Sequence, residues 1–279
     1  MSITRSLNFF ADTVRELVGN PSISSWHLIA LKRYEMVLKK RPRWALPFRG
    51  RVCQVRLRGI SRPFLVRLQT TDLWTLDEIY VRGEYAPTKE FLTGPVHMIV
   101  DLGSNVGYSL RWWLDQFPDC RVWAAEPDPG NAALCRKNIQ LGGTPDRVKL
   151  LEACICGKSG PVYLKQDVPQ NSFMVTTNQQ GAIRVEGITM DELLADCNQN
   201  AIDILKCDIE GSEAELFKFP GNWLKRAKLL IVETHPPYSA EKLLKDLKAA
   251  GEDFEPVRSI TKSHLEMTVM FLKRKSGAA

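Results

Sequence analysis

The sequence of 279 residues lacks an apolar run of about 18 residues or more, which a membrane-spanning helix would need. After Met1 there is no compact apolar segment with a small-residue cleavage site, as a signal peptide would have. The seven cysteines are an odd number and include no C-x-x-C pair, which argues against a disulfide framework and a zinc site. These absences predict a cytoplasmic protein with mostly buried thiols.

Charge is distributed unevenly along the chain. Residues 1–68 hold 14 Lys and Arg against 3 acids, whereas the remainder holds 24 against 29. The basic part begins with an apolar stripe at helical spacing, formed by Ile3, Leu7, Phe10, Val14 and Leu17. A second helix is expected over residues 25–40, and the alternation over Arg51–Arg58 predicts a half-exposed strand with a cationic outer face. We therefore predict a basic N-terminal helical and β extension over residues 1–68 and a main domain over residues 69–279.

The basic extension has two interpretations. Its charge would suit docking to an anionic lipid surface, a lipid-linked or phosphorylated glycan, or nucleic acid. Alternatively its helices pack their apolar stripe on the main domain or on a partner subunit, which is what such stripes usually do. Because no nucleic-acid motif accompanies the charge, nucleic acid is the least favoured partner. Both a position peripheral to the membrane and a homo-oligomer remain open.

A glycine turn in the middle of the chain is the strongest sign of a ligand site. The uncharged run Met98–Val100 predicts a strand buried on both faces of a parallel sheet, and it ends at Asp101. The chain then passes Gly103 and Gly107 into a helical stretch, an arrangement that brings backbone N–H groups to a ligand. Asn105 stands where a dinucleotide fingerprint needs its middle glycine. This spacing favours S-adenosylmethionine over a pyrophosphate cofactor, with a nicotinamide-dependent oxidoreductase as an alternative.

The next strands add candidate cofactor contacts. Arg121–Ala125 predicts a second strand that ends at Glu126 and Pro127, and an acid at this tip is placed to accept the ribose hydroxyls of a nucleoside. Ala153, after the third strand, is expected to face the adenine, although plain packing explains it equally well. Upstream, Tyr85 is interpreted either as a lid over the cofactor or as an anchored core residue.

Polar residues also follow the fourth and fifth predicted strands. Ile202–Cys207 is followed by Asp208 and Glu210, and Leu229–Val232 is followed closely by His235. The carboxyl ends of parallel strands meet at one edge of a sheet, so these side chains are expected near the cofactor. Asp208 could orient an acceptor, take its proton or hold a metal, and His235 is a candidate base or a structural residue. A divalent metal is therefore possible, but we assign no metal ligand.

At this point the chain resembles the FkbM family of S-adenosylmethionine-dependent methyltransferases. The similarity lies in V-D-L-G-S-N-V-G (Val100–Gly107), E-P-D-P (Glu126–Pro129) and above all L-K-C-D-I-E-G-S-E (Leu205–Glu213). It covers about residues 70–273 and leaves residues 1–68 outside. The resemblance implies an α/β class I methyltransferase fold, with a seven-stranded, mostly parallel Rossmann-like sheet flanked by helices. It also implies methyl transfer from S-adenosylmethionine, most often to a hydroxyl of a sugar or secondary metabolite.

The resemblance also implies roles for individual residues. The implied cofactor-binding residues are Asp101, Gly103, Asn105, Gly107 and Glu126, and the family's acidic block corresponds to Asp208, Glu210 and Glu213. From the strand tips we predict that Asp208, His235 and Glu210 carry the chemistry, with Asp208 also facing the cofactor. The expected acceptor is a small molecule or a glycan. The alternatives are an RNA methyltransferase that uses the basic extension and a non-catalytic docking protein on the same fold.

Overall fold

The computed structural model describes residues 50–167, 172–176, 182–218, 220–262 and 266–275. It divides the chain into two compact units, residues 1–85 and residues 86–279. The two helices predicted within residues 1–40 lie outside the described residues. The predicted division of the chain after residue 68 stays a prediction.

The described part of the first unit is a β-hairpin followed by a helix. Its elements are β1 (Val52–Val55), β2 (Phe64–Arg67) and α1 (Asp72–Tyr80). β1 pairs antiparallel with β2 and is half-exposed, as predicted. It is shorter than the predicted stretch Arg51–Arg58, however, and Arg51 and Arg56 flank it, so its outer face carries no cation. The guanidinium of Arg67 donates to both carboxylate oxygens of Asp72, at 2.9 and 2.8 Å, and so ties the helix to the hairpin.

The second unit is built on a seven-stranded sheet. Its strands are β3 (Met98–Leu102), β4 (Arg121–Ala125), β5 (Val148–Leu151), β10 (Ile202–Cys207), β11 (Ala227–Thr234), β12 (Phe254–Lys262) and β13 (Met267–Arg274). Their order is β12-β13-β11-β10-β3-β4-β5. β13 runs antiparallel to β11 and β12, while β11, β10, β3, β4 and β5 pair in parallel. The predicted mostly parallel sheet is confirmed.

Helices connect and cover these strands. They are α2 (Thr88–Phe91), α3 (Tyr108–Gln116), α4 (Pro129–Gly142), α5 (Met190–Leu193), α6 (Glu213–Lys218), α7 (Trp223–Arg226) and α8 (Ala240–Ala249). Local signals fix their starts: the side chain of Asp128 accepts from the Asn131 N–H before α4, and Thr189 caps α5 within a capping box. In the described part of the chain, no helix is both long and apolar enough to cross a bilayer.

The centre of the sheet positions a ligand site. β3 and β10 are buried along their whole length, with Val100 opposite Leu205 on one side and Trp123 on the other. From β3 the chain winds outward through β4 and β5, and it then returns to the other side of β3 at β10. This reversal leaves a crevice at the carboxyl ends of β3 and β10, where open α/β sheets bind ligands.

A smaller sheet is inserted between β5 and β10. Its strands are β6 (Cys154–Ile155), β7 (Gly160–Asp167), β8 (Ser172–Thr176) and β9 (Ile183–Ile188), in the order β6-β9-β7-β8. Cys154, Leu164 and Val185 form a small apolar cluster of its own. The smaller sheet is therefore a β insertion in the main α/β fold.

Candidate active site

A cavity of about 590 Å³ opens at the carboxyl ends of β3, β4 and β10. Its walls come from the loops that follow these strands and from the smaller sheet, which contributes Ile155 and Leu164. Seven of the predicted site residues line it: Gly103, Asn105, Glu126, Pro127, Ala153, Asp208 and Glu210.

The remaining predicted residues lie elsewhere. Asp101 and Gly107 are not among the lining residues, and His235 lies beside Asp208 and Glu210 without lining the cavity. Tyr85 belongs to the first unit and is buried, so its predicted role over the cofactor stays a prediction.

The glycines of the loop after β3 serve close packing. Gly103 and Gly107 have φ values of +76° and +86°, a region that favours glycine. A Cβ at Gly103 would lie 1.8 Å from the backbone oxygen of Asp208, and one at Gly107 would lie 2.7 Å from the Sγ of Cys135. The glycines therefore allow the loop to touch the end of β10 and helix α4.

Two groups on the loops after β3 and β4 fit a nucleoside. Asn105 has a left-handed φ of +49°, and its buried Oδ1 has no hydrogen-bond partner in the structure. Glu126, at the tip of β4, accepts from the N–H groups of Asn105 and Asp128 at 2.8 and 3.0 Å and from the Asn131 amide at 3.2 Å. A carboxylate has about four acceptor positions, so Glu126 can still accept a ligand hydroxyl.

Burial changes the acidity of Glu126. Glu126 is only 4% exposed. Because burial removes water from the charged form, it raises the pKa of the carboxyl to about 7. The three N–H donors lower the pKa and offset part of that effect. The Glu126 carboxyl therefore changes its protonation state near neutral pH.

Lys206, which the sequence analysis did not single out, joins the tips of β3 and β10. Its Nζ donates to the backbone oxygen of Gly103 at 2.7 Å and lies 3.4 Å from Asp101 Oδ1 and 3.5 Å from Asp208 Oδ2. Burial lowers the pKa of Lys206, but the two carboxylates outweigh burial and raise it above the ordinary value. The sequence signal that could have identified it is a lysine near the end of a buried strand whose other residues, apart from Asp203, are apolar.

The contacts of Asp101 show how this acid is held without a ligand. Trp113 Nε1 donates to Asp101 Oδ2 at 2.8 Å, and Lys206 faces the other oxygen. Asp101 is fully buried behind the glycine loop. The protein itself thus supplies a cation and a hydrogen-bond donor for Asp101, and a direct contact of Asp101 with the cofactor stays a prediction.

An acid and histidine cluster forms the other side of the site. His235 Nδ1 donates to Glu213 Oε1 at 2.9 Å, since a carboxylate can only accept. His235 Nε2 lies 3.3 Å from Glu210 Oε2 and 3.8 Å from Asp208 Oδ1. The structure therefore brings together the three residues predicted to carry the chemistry.

Glu213 holds His235 and the loop after β10 in place. It is fully buried, and its carboxylate accepts from the N–H groups of Gly211 at 3.0 Å and Ile209 at 3.3 Å. These bonds hold the loop in which Glu210 adopts a left-handed φ of +53°, an uncommon conformation for a residue with a side chain.

The cluster shifts the acidity of its members. Burial lowers the pKa of His235, but the hydrogen bond to Glu213 and the neighbouring carboxylates outweigh burial and raise it to about 9. Burial raises the pKa of Asp208, but the cations of Lys206 and His235 outweigh it and hold the pKa below its usual value.

Comparison with known proteins identifies the family. The Methyltransferase FkbM domain matches residues 101–271, from the glycine loop to β13. The chain belongs to the FkbM methyltransferase family. The acidic block typical of the FkbM resemblance, Leu205–Glu213, covers the end of β10 with Lys206 and supplies the three acids of the acid and histidine cluster, Asp208, Glu210 and Glu213.

Curated relatives of this FkbM chain are distant. The 2-O-methyltransferase NoeI of Sinorhizobium fredii is 25% identical over 160 residues, which are 51% of this chain and 65% of NoeI. The hexuronic acid methyltransferase AglP of Haloferax volcanii is 26% identical over 199 residues, 70% of this chain and 80% of AglP. The chain thus matches less than two thirds of the length of NoeI.

A solved structure supports the fold. The methyltransferase domain of METTL16 aligns with a TM-score of 0.53 over 94% of this FkbM chain and 92% of that domain, at 11% identity. At this identity the likeness concerns the fold alone. It confirms the class I, Rossmann-like methyltransferase architecture predicted from the sequence.

Proposed function

We propose that this FkbM-family protein transfers a methyl group from S-adenosylmethionine to a hydroxyl group of a sugar or glycan. One observation carries the proposal: groups suited to a nucleoside and groups suited to an acceptor line the same cavity. Asn105 and Glu126 lie on one side, and Asp208 and Glu210 lie on the other. Such an arrangement can align an acceptor oxygen with an electrophilic methyl carbon.

The cofactor side is argued from the acceptor atoms that the protein offers. S-adenosylmethionine, when bound, supplies a methyl carbon activated by its sulfonium. Glu126 would accept hydrogen bonds from the ribose hydroxyls, and the Oδ1 of Asn105 would accept from another ligand donor. Ala153 lines the same cavity, which supports its predicted place beside the adenine.

The acceptor side is argued from Asp208. Asp208 lines the cavity whereas His235 does not, so we assign proton removal to Asp208 and a supporting role to His235. Asp208 takes the hydroxyl proton as the acceptor oxygen bonds to the methyl carbon and the carbon–sulfur electron pair returns to sulfur. The products are a methyl ether, S-adenosylhomocysteine and a proton that Asp208 releases to solvent.

The choice of a sugar hydroxyl is supported by the relatives. The name of NoeI specifies an oxygen as its methyl acceptor, and that of AglP specifies a sugar acid. Secondary metabolites with hydroxyl groups are the second acceptor class. An RNA acceptor is disfavoured because no nucleic-acid motif accompanies the basic N-terminal residues.

The reaction is proposed to occur in the cytoplasm. All seven cysteines are free thiols, as expected for a reducing compartment. The exposed basic residues that flank β1, Arg51 and Arg56, would suit a peripheral contact with anionic lipid or a lipid-linked acceptor.

The test combines cofactor binding with turnover. We expect S-adenosylhomocysteine to bind the purified protein with micromolar affinity by calorimetry. Glu126→Gln should weaken that binding about tenfold or more, because a neutral amide offers one acceptor oxygen instead of two. The matched control is Glu152→Gln, an acid paired with Arg136 at 3.0 Å, which should bind as the wild type does.

Turnover is measured by mass spectrometry with uronic acid glycosides and neutral glycosides. Asp208→Asn should keep the binding of S-adenosylhomocysteine but reduce turnover by about 10²–10⁴-fold, as loss of an acid–base group does. A folded wild type that binds no S-adenosylhomocysteine would overturn the proposal. Binding without methylation of any hydroxyl acceptor would instead favour a docking protein.

A further inference from the structure

Three side chains after β10 and β11 converge on one point beside the cavity. The Nε2 of His235 lies 3.3 Å from Glu210 Oε2 and 3.8 Å from Asp208 Oδ1. One ligand atom from each of the three residues lies within 4.8 Å of the others. Ligand atoms that each stand about 2.1 Å from a metal ion are roughly 3–4 Å apart, so small side-chain shifts would bring all three onto one ion.

The state of His235 is an independent sign of a cation. His235 is 8% exposed, and its Nε2 is buried with no hydrogen-bond partner in the structure. Nδ1 carries the proton donated to Glu213, so a cation that displaces the proton of Nε2 would meet the Nε2 lone pair together with the two carboxylates. The three residues would then offer three electron-pair donors to one ion.

Glu213 completes the arrangement of a metal-binding histidine. Such histidines almost always donate their second ring N–H to a carboxylate or carbonyl group, which fixes the ring and its tautomer. Glu213 does this for His235 at 2.9 Å, and it is itself fixed by the backbone N–H of Gly211.

We propose that Asp208, Glu210 and His235 bind a divalent cation, with Glu213 as the residue that positions His235. One imidazole and two carboxylates suit Mn²⁺ or Zn²⁺ better than Mg²⁺, which prefers oxygen ligands. Three protein ligands leave coordination positions open toward the cavity, which Asp208 and Glu210 line.

The use of the cation, unlike its binding, rests on the proposed methyl transfer. Neighbouring hydroxyls of a sugar would occupy the open positions, and the cation would lower the pKa of the hydroxyl that is methylated. Its proton would pass to the carboxylate oxygen of Asp208 that does not bind the cation. The site would then select acceptors with two adjacent oxygens. The competing arrangement is a protonated His235 paired with the two carboxylates and no metal.

The test measures metal binding directly. The full-length protein is stripped with a chelator and titrated with Mn²⁺, and the free ion is followed by electron paramagnetic resonance. We expect one equivalent to bind with micromolar affinity. Glu210→Gln and His235→Gln should each weaken binding at least about tenfold, and Glu213→Gln about 10–100-fold. Glu241→Gln, an acid outside the cluster at the start of α8, is the control and should bind normally.

Each variant is also melted and titrated with S-adenosylhomocysteine. Retained folding and cofactor binding with lost Mn²⁺ binding would support the site. A chelator-treated wild type that binds S-adenosylhomocysteine but neither Mn²⁺ nor Zn²⁺ would overturn the cation site while leaving the proposed function intact. Metal binding that survives in Glu210→Gln and His235→Gln would likewise overturn it.

Discussion

Among single residues, Glu126 shows most directly how burial prepares a group for a ligand. Its carboxyl has a pKa of about 7 because burial disfavours the charged form more than three N–H donors favour it. A ribose hydroxyl can donate to the ionised carboxylate. In the proposed binding mode, cofactor binding is therefore coupled to loss of the Glu126 proton below pH 7.

This coupling predicts a pH-dependent affinity. Below the pKa the free protein must lose a proton to bind, so S-adenosylhomocysteine should bind about tenfold more weakly at pH 6 than at pH 8. Calorimetry at both pH values measures the change. Glu126→Gln, which has no proton to lose, should bind S-adenosylhomocysteine more weakly, and its affinity should change less between pH 6 and pH 8. An equal change of affinity in the wild type and the variant would contradict a role of Glu126 in cofactor binding.

Among structural elements, the contact between the tips of β3 and β10 depends on Lys206. Its ammonium bridges Asp101 and Asp208 and also binds the backbone oxygens of Leu102 and Gly103. The two strands are paired in parallel up to Cys207 and Leu102, so Lys206 extends the connection beyond the last ladder pair.

Removal of this cation should loosen the sheet centre. Lys206→Met leaves the buried Asp101 facing an apolar side chain and should cost about 3–5 kcal/mol of unfolding free energy. The control is Lys228→Met, which removes the ammonium group that pairs with Asp203. Because Asp203 still accepts from the N–H groups of His97 and Met98, this variant should lose about 1 kcal/mol of unfolding free energy or less. Chemical denaturation measures the unfolding free energy of both variants. An equal loss of unfolding free energy in the two variants would show that Lys206 has no special role.

The strands show which parts of the structure could be predicted from the sequence alone. The uncharged run before Asp101 and the glycine spacing predicted β3 and its turn correctly, because these signals are local. The tip positions of Glu126 and Asp208 followed from strand ends in the same way. The partner of β1 was missed, since nothing local marks which strand pairs with an exposed one.

Pairings between distant residues were harder to predict. The sequence placed His235 and the acidic block at one edge, but not the bond from His235 to Glu213, 22 residues away. That bond depends on the parallel register of β10 and β11, in which Cys207 lies opposite Val232. Likewise, only the packed sheet shows that Asp101 turns toward Lys206 and away from the cavity.

For the whole molecule, ligand binding should raise stability. The cavity is walled by loops from three strands of the main sheet and by the smaller sheet, so a ligand in it contacts parts that separate on unfolding. At a hundred times its dissociation constant, S-adenosylhomocysteine should add about 2.7 kcal/mol to the unfolding free energy. The expected rise in Tm is roughly 5–10 °C.

Thermal melts with increasing S-adenosylhomocysteine measure this effect. Glu126→Gln should need a higher ligand concentration for the same rise, in proportion to its weaker binding. A Tm that stays constant at concentrations that saturate the wild type by calorimetry would contradict binding to the folded state.

The inserted sheet has a consequence for how such a protein can diversify. Glu126 and Asn105, the proposed cofactor contacts, follow strands of the main sheet, whereas Leu164 reaches the cavity from β7 of a separately paired sheet. Changes in the inserted strands can therefore alter one wall of the cavity without breaking a hydrogen bond of the seven-stranded ladder. Selection for new acceptors can act on the inserted sheet while the proposed cofactor contacts on the main sheet stay the same.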